Sequence, residues 1–240
     1  MKLLFAGTRG YIDGGSRRHR MHAALDIAYK KDRIRIDCGA DWRGRIDEIR
    51  AAAIFVTHAH PDHADGLKDG APCPVYATDQ SWKIMDRWRI EDRRTVPLRT
   101  PIRIGEIRVS AFPVIHSTRA PAVGYRVGAG RVAIFYGPDL VYIEDRAAAL
   151  KDVRLYIGDG ATVAESFVRK IDGALVGHAP VRTQLTWCAK EGVPEAIVSH
   201  CGSEIVEGDE RTLAAQIRKM GEERGVAASI AHDGMERVLR

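Results

Sequence analysis

Residues 56–66 read VTHAHPDHADG. The stretch AAIFVTH (52–58) that leads into them has the short apolar run of a buried strand. His58, His60, Asp62 and His63 then follow as H-x-H-x-D-H. Alternate residues of an extended segment share a face, so His58 and His60 can grip one ion together. If the chain turns into a helix at PDHADG, Asp62 and His63 can point to a second ion alongside. Imidazole and carboxylate are ligands that zinc accepts, and a catalytic zinc keeps one position open for water. Two ions about 3.5–4 Å apart can share a bridging hydroxide and clamp both the attacking and the leaving oxygen.

The rest of the chain repeats the theme. His116 follows AFPVI, Asp139 follows AIFYGP, His178 follows ALVG and His200 follows AIVS. Strand ends and the loops beyond them are where α/β proteins place their chemistry. Further strands are expected in KLLFA (2–6), RIRIDCG (33–39), VRLYIGD (153–159), GALVGH (173–178), EAIVSH (195–200) and VAASIAH (226–232), with a hairpin in GYRVGAGRVAIFYG (124–137). Helices are expected over 79–88, 141–150, 181–192 and 209–225. In the last, Leu213, Ile217 and Met220 share a face and Gly225 suits a C-cap. No linker or internal repeat interrupts the 240 residues, which read as one α/β domain of layered sheets and helices.

Composition narrows the classes. Thirty-seven Lys and Arg against 32 Asp and Glu leave a net charge of +5, which favours anionic partners. Arginines concentrate at Arg17, Arg18 and Arg20 in RRHR and again in RWRIEDRR (87–94), read as a helix. Guanidinium pairs bidentately with phosphate oxygens, which makes Arg17, Arg18 and Arg20 candidate substrate contacts. No apolar run approaches the ~20 residues that cross a bilayer, and the N-terminal apolar stretch is too short for a secretory signal, so a cytoplasmic location is expected. Cys38, Cys73, Cys188 and Cys201 are scattered without a CxxC pair, which argues against a disulfide framework or a cysteine zinc knuckle.

The H-x-H-x-D-H segment matches the signature of the metallo-β-lactamase superfamily, and the later segments match in order. FPVIHSTRAPAVGYRV, FYGPDL, GHAPVRTQL and VSHCGSEI resemble the successive motifs of its ribonuclease Z and cyclic-phosphate phosphodiesterase branch, and FAGTRG and AHDGMERVL resemble that branch's opening and closing stretches. The resemblance implies an αββα sandwich. It also implies one metal on His58, His60 and His116, a second on Asp62, His63 and His200, and Asp139 bridging both. It gives Asp62 the task of orienting the nucleophile and taking its proton, and places His178 beside the scissile phosphate as a general acid. Asp159, in GDGA where that branch commonly carries a His-Glu pair, and His232 are expected to orient metal-bound histidines. These ligands suit zinc and also accept manganese or iron.

Fold alone does not name a substrate. The intact Asp62-His63 pair and the late paired histidines point to hydrolysis of phosphodiesters. Only 23 positions separate His116 from Asp139 (139 − 116), too few for the tRNA-gripping arm that ribonuclease Z enzymes typically place there. The chain also lacks the N-terminal cysteines of the structural zinc site found in the cyclic-phosphate phosphodiesterases. The expected activity is therefore a two-metal phosphodiesterase acting on a small or cyclic phosphodiester or an RNA end, with homodimer formation as the family habit. The alternatives are hydrolysis of a carboxylic ester, thioester or lactone by the same metals, and a non-catalytic member that binds RNA or a protein.

Overall fold

In the computed structural model, which describes residues 1–240, two twisted sheets lie face to face with helices outside each. The first sheet contains β1 (Lys2–Gly7), β2 (Ala24–Tyr29), β3 (Asp32–Ile36), β4 (Ile54–Phe55), β5 (Val75–Ala77) and β6 (Arg93–Thr95) in that spatial order, edged by the last strand, β17 (Glu236–Val238). Strands β3 to β6 run parallel. Helices α1 (Pro61–Ala64) and α2 (Asp79–Ile84) belong to its outer layer.

The second sheet contains β7 (Ile102–Ile104), β8 (Ile107–Ile115), β9 (Ala122–Ala129), β10 (Val132–Tyr136), β11 (Tyr142–Ile143), β12 (Leu155–Asp159), β15 (Glu195–Ser199) and β16 (Ala227–Ile230), in the path β11-β8-β9-β10-β12-β15-β16 with β7 beside β8. Its outer side carries α3 (Arg146–Leu150), α4 (Val181–Lys190), α5 (Ser203–Val206) and α6 (Glu210–Glu222). A separate two-stranded ribbon, β13 (Arg169–Ile171) and β14 (Ala174–Val176), joins neither sheet. No helix is long and apolar enough to cross a membrane.

Period-two alternation builds these layers. Along β10, Ile134 and Tyr136 enter the core between the sheets while Phe135 faces the helices. On β12, Leu155 and Ile157 point inward and Tyr156 outward, which stacks its ring on Phe135 at 5.9 Å. On the first sheet, Phe55 faces inward and Ile54 outward. The outer layers are closed by Trp42, Leu67 and Met85 on one side and by Leu185, Leu213 and Ile217 on the other. This is the αββα arrangement expected from the sequence.

Several local expectations are corrected. The strand in AAIFVTH stops at Phe55, because the Thr57 amide donates to the Asp37 carboxylate at 2.8 Å instead of to a neighbouring strand. The helix expected over 141–150 is a two-residue strand followed by α3, with Asp145 between them at φ +53°. RWRIEDRR forms no helix; the Arg93 guanidinium donates to the carbonyls of Asp86 and Ile90, and β6 begins there. GALVGH contributes β14 to the ribbon and not to a main sheet, and the chain leaves it at Gly177, φ +113°, a conformation that suits glycine.

Phe55 carries no exposed surface, stacks on Tyr76 at 4.7 Å and meets Tyr125 edge-on at 5.6 Å. Phe55→Ala should cost about 3–5 kcal/mol, read as a lower urea midpoint; an unchanged midpoint would contradict this packing.

Candidate metal centre

Strands β8, β10, β12 and β15 point the same way, since β8 and β10 both run antiparallel to β9 while β10, β12 and β15 pair in parallel. Their ends therefore share one edge. His116 follows β8 directly, Asp139 lies three residues past β10, Asp159 ends β12, and His200 follows β15. From the facing sheet, β4 delivers His58 and His60, and α1 delivers Asp62 and His63 with Pro61 as its first residue. Asp37 and His200, each the first residue past a strand, adopt φ +62° and +52°. Such left-handed geometry is costly for residues other than glycine, and strain of this kind gathers at functional sites.

The side chains form two nests with a common member. His58, His60, His116 and Asp139 make one, and Asp62, His63, Asp139 and His200 the other, with potential ligand atoms within 4.8 Å of each other in each. Asp139 Oδ2 lies 3.3, 3.2 and 3.4 Å from Nε2 of His58, His63 and His116. Asp62 Oδ2 lies 2.9 Å from His200 Nε2 and 3.1 Å from His63 Nε2. His178 joins Asp139, Asp159 and His200 in a third grouping.

Two fully buried atoms, His63 Nε2 and Asp139 Oδ1, have no aligned hydrogen bond despite these short distances. Buried polar atoms are seldom left so. Together with the N and O donors that converge here, the two orphans fit a divalent cation. In the first nest the protonation pattern agrees. Burial and then the neighbouring His63 push His58 well below the usual imidazole range; burial and then His116 take His60 to about 4. Both rings are thus neutral, the metal-binding form. Burial works against ionisation of Asp139, but His116, His200 and His178 outweigh it and hold the carboxylate well below its usual range.

Outer contacts orient these groups. Asp37 accepts from His63 Nδ1 at 2.8 Å and from the Thr57 amide and hydroxyl at 2.8 and 2.9 Å, so His63 Nε2 faces the cluster. Asp159 Oδ2 lies 2.8 Å from His178 Nδ1, and its Oδ1 lies 3.4 Å from His200 Nδ1. Gln184 fixes the Asp159 backbone, accepting from its amide at 2.9 Å and donating to its carbonyl at 2.7 Å. His116 Nδ1 donates to the Gly177 carbonyl at 3.3 Å.

The sequence reading did not single out Asp37. Its signal was a carboxylate ending the apolar run RIRI, in a segment read only as a strand. His232 is placed differently from expectation: its ring meets the Asp233 carbonyl at 3.1 Å and no candidate ligand. The neighbouring Asp233 accepts instead from the amides of Thr8, Arg20 and Met21. Arg17, Arg18 and Arg20 do not line the cleft over the nests, and Arg18 is paired with Glu210 at 2.9 Å. His19 is buried against Thr8, and His22 lies 2.6 Å from Asp41.

The cleft has a volume of about 390 Å³. Its floor is His60, Asp62, His116, Asp139, His178 and His200, and Tyr11, Ile12 and Phe167 form apolar walls.

The sequence matches the family described as "Beta-lactamase superfamily domain" over residues 32–201. No curated protein sequence matches it. Among solved structures it is similar to the metallo-beta-lactamase fold protein YhfI from Bacillus subtilis, at 14% identity over 98% of each chain with a TM-score of 0.74. It is also similar to a diphosphatase from the PhnP family, at 18% identity over 100% of this chain and 98% of the other, TM-score 0.73. Human tRNase Z, short form, superposes at 17% identity over 100% of both chains, TM-score 0.68. At such identities the likeness establishes the fold.

Asp37→Asn keeps the shape of its side chain but weakens the acceptor behind His63, and should lower affinity for zinc about 10–100-fold in chelator competition; an unchanged affinity would remove Asp37 from the centre. Without metal, burial lowers His200 but Asp139, Asp159 and Asp62 raise it to about 9, and Asp62 and Asp37 likewise overcome burial to raise His63. Both rings are then protonated at neutral pH and must lose protons as a cation enters. Calorimetry of zinc binding in buffers of different ionisation enthalpy should register proton release at neutral pH that shrinks as pH rises through about 9, the His200 value; identical heats in all buffers would refute it.

Proposed function

The chain belongs to the beta-lactamase superfamily, and from that premise we propose that it is a dinuclear metal-dependent phosphodiesterase acting on a small or cyclic phosphodiester or on an RNA end. His58, His60 and His116 would hold one ion, Asp62, His63 and His200 the other, and Asp139 would serve both. Zinc is the first expectation, and manganese and iron also accept these donors. Bound divalent ions would lower the pKa of water toward about 7 and polarise a phosphoryl oxygen.

The observation that carries the reading is the fixed orientation of His178. Its Nδ1 is committed to Asp159 at 2.8 Å, in the floor of the cleft and beside both nests. Nε2 is thereby the nitrogen left for an occupant of the cleft. A histidine held in this way donates a proton to a departing oxygen, the role a phosphodiester demands because an alkoxide leaves poorly without one. Asp62, aligned by His200 at 2.9 Å, orients the attacking water and accepts its proton. Asp159 acts on the reaction through His178, since it holds the ring in one tautomer.

A second reading is hydrolysis of a carboxylic ester, thioester or lactone. The observation that favours it is the wall chemistry: no lysine or arginine lines the cleft.

Bis(p-nitrophenyl) phosphate separates the two. Metal-restored protein should hydrolyse it. On a diester whose leaving group is an alkoxide, such as a dinucleoside phosphate, His178→Ala should lose about 100-fold or more in kcat with its metal content unchanged. It should lose much less on the p-nitrophenyl diester, whose phenolate departs without a proton. Wild-type protein that carries its metals, leaves the diester intact and hydrolyses p-nitrophenyl acetate would overturn the phosphodiesterase reading in favour of the second.

A further inference from the structure

Tyr11 and Phe167 are the largest apolar side chains bordering the cleft, and they are exposed by 71% and 51%. Neither belongs to any of the three apolar clusters of the protein. The backbone that carries each is nonetheless held in place. Gly10, beside Tyr11, donates its amide to the Cys201 carbonyl at 3.0 Å, and it approaches His200 so closely that an added Cβ would lie 3.0 Å from the ring. The buried Arg9 fixes the next turn, donating to the carbonyls of Ile12 and Gly14 at 2.8 and 3.1 Å while paired with Asp41 at 2.9 Å. The Phe167 carbonyl packs on Gly177, where an added Cβ would come within 2.0 Å of it, and Gly177 immediately precedes His178. The backbone under one ring is thus anchored through the neighbour of a candidate metal ligand, and that under the other through the neighbour of the candidate general acid.

Two exposed aromatic rings carried on fixed backbone at the rim of the cleft suit a binding role, since solvent-exposed apolar surface costs free energy until a partner covers it. No arginine or lysine lines the cleft, and beyond the nests its walls offer Tyr11, Ile12 and Phe167 together with the polar Ser203 and Glu204, so the rings are its largest recognition surface. A flat aromatic ring is what aromatic side chains take best, and nucleobases are flat in every sequence. The cleft volume of about 390 Å³ lies in the range of small-ligand pockets.

We infer that Tyr11 and Phe167 form a stacking platform for a nucleobase, so that the substrate is a nucleotide phosphodiester, with its phosphate over the nests and its base on the aromatic rings. The inference rests on the phosphodiesterase reading and adds the identity of the non-phosphate part.

Binding can be measured apart from turnover. Calorimetry on the metal-loaded protein would compare adenosine 5′-monophosphate with ribose 5-phosphate, which presents the same phosphate without a base. The wild type should bind the nucleotide at least about tenfold more tightly. Tyr11→Ala and Phe167→Ala should each reduce that preference while leaving ribose 5-phosphate affinity and metal content unchanged; Tyr11→Phe and Phe167→Trp should retain it. Equal affinity for the two ligands, no nucleotide binding, or a preference that survives both alanine variants would overturn the platform. Loss of affinity for both ligands alike would do so too, by assigning the rings a structural role. Failure to hydrolyse bis(p-nitrophenyl) phosphate would strike the phosphodiesterase reading and leave this binding comparison standing.

Discussion

Asp139 sets the terms for everything around it. Its carboxylate is 4% exposed and lies within 3.4 Å of ring nitrogens of five histidines: His58, His63 and His116 on one oxygen, His178 and His200 on the other. Removing a carboxylate from water costs several kcal/mol unless opposite charge and directed hydrogen bonds replace the lost solvent. Five imidazoles converging on one acid supply charge when protonated and free electron pairs when neutral. The centre is therefore a place where protons and a divalent cation compete for the same atoms.

The fold meets this requirement by bringing chain ends together. Four parallel-running strands of one sheet stop at a common edge, and the turn after β4 closes over them from the other. Behind the inner ring stands a second one of acceptors, Asp37 for His63 and Asp159 for His178, each carboxylate held in turn by backbone amides or by Thr57. Ring orientation is thus settled before any ligand arrives, which is the condition for a site to act without reorganising.

Much of this was legible in the sequence because it is local. H-x-H-x-D-H packs four donors into six residues, and the partners at 116, 139, 178 and 200 each follow an apolar run. An α/β domain of layered sheets and helices could be read from alternation and spacing, and the four-layer order came with the resemblance of the motifs. What escaped depends on contacts between segments far apart in the chain. Asp37 acquires its role only because β3 lies beside β4 and α1 packs below. His232 and Asp233 are adjacent, and only the fold reveals that the aspartate is the one that collects the loop amides. The arginines at 17–20 looked like phosphate ligands by type; their loop turns them toward Glu210 and solvent. GALVGH had the composition of a sheet strand, yet its only pairing partner is the ribbon strand beside it.

That ribbon has a bearing on how such a protein changes over time. Residues 164–176 place no side chain in any of the apolar clusters, and β13 and β14 pair only with each other. Substitutions there remove no side chain from the packed layers, and Phe167 and the exposed Ile171 and Leu175 ride on the same segment. Selection can thus revise one wall of the cleft almost independently of its floor, with the tether through Gly177 to His116 as the main restriction. A scaffold divided in this way lets the wall of the cleft drift among descendants while the cluster of histidines and aspartates beneath it is inherited intact.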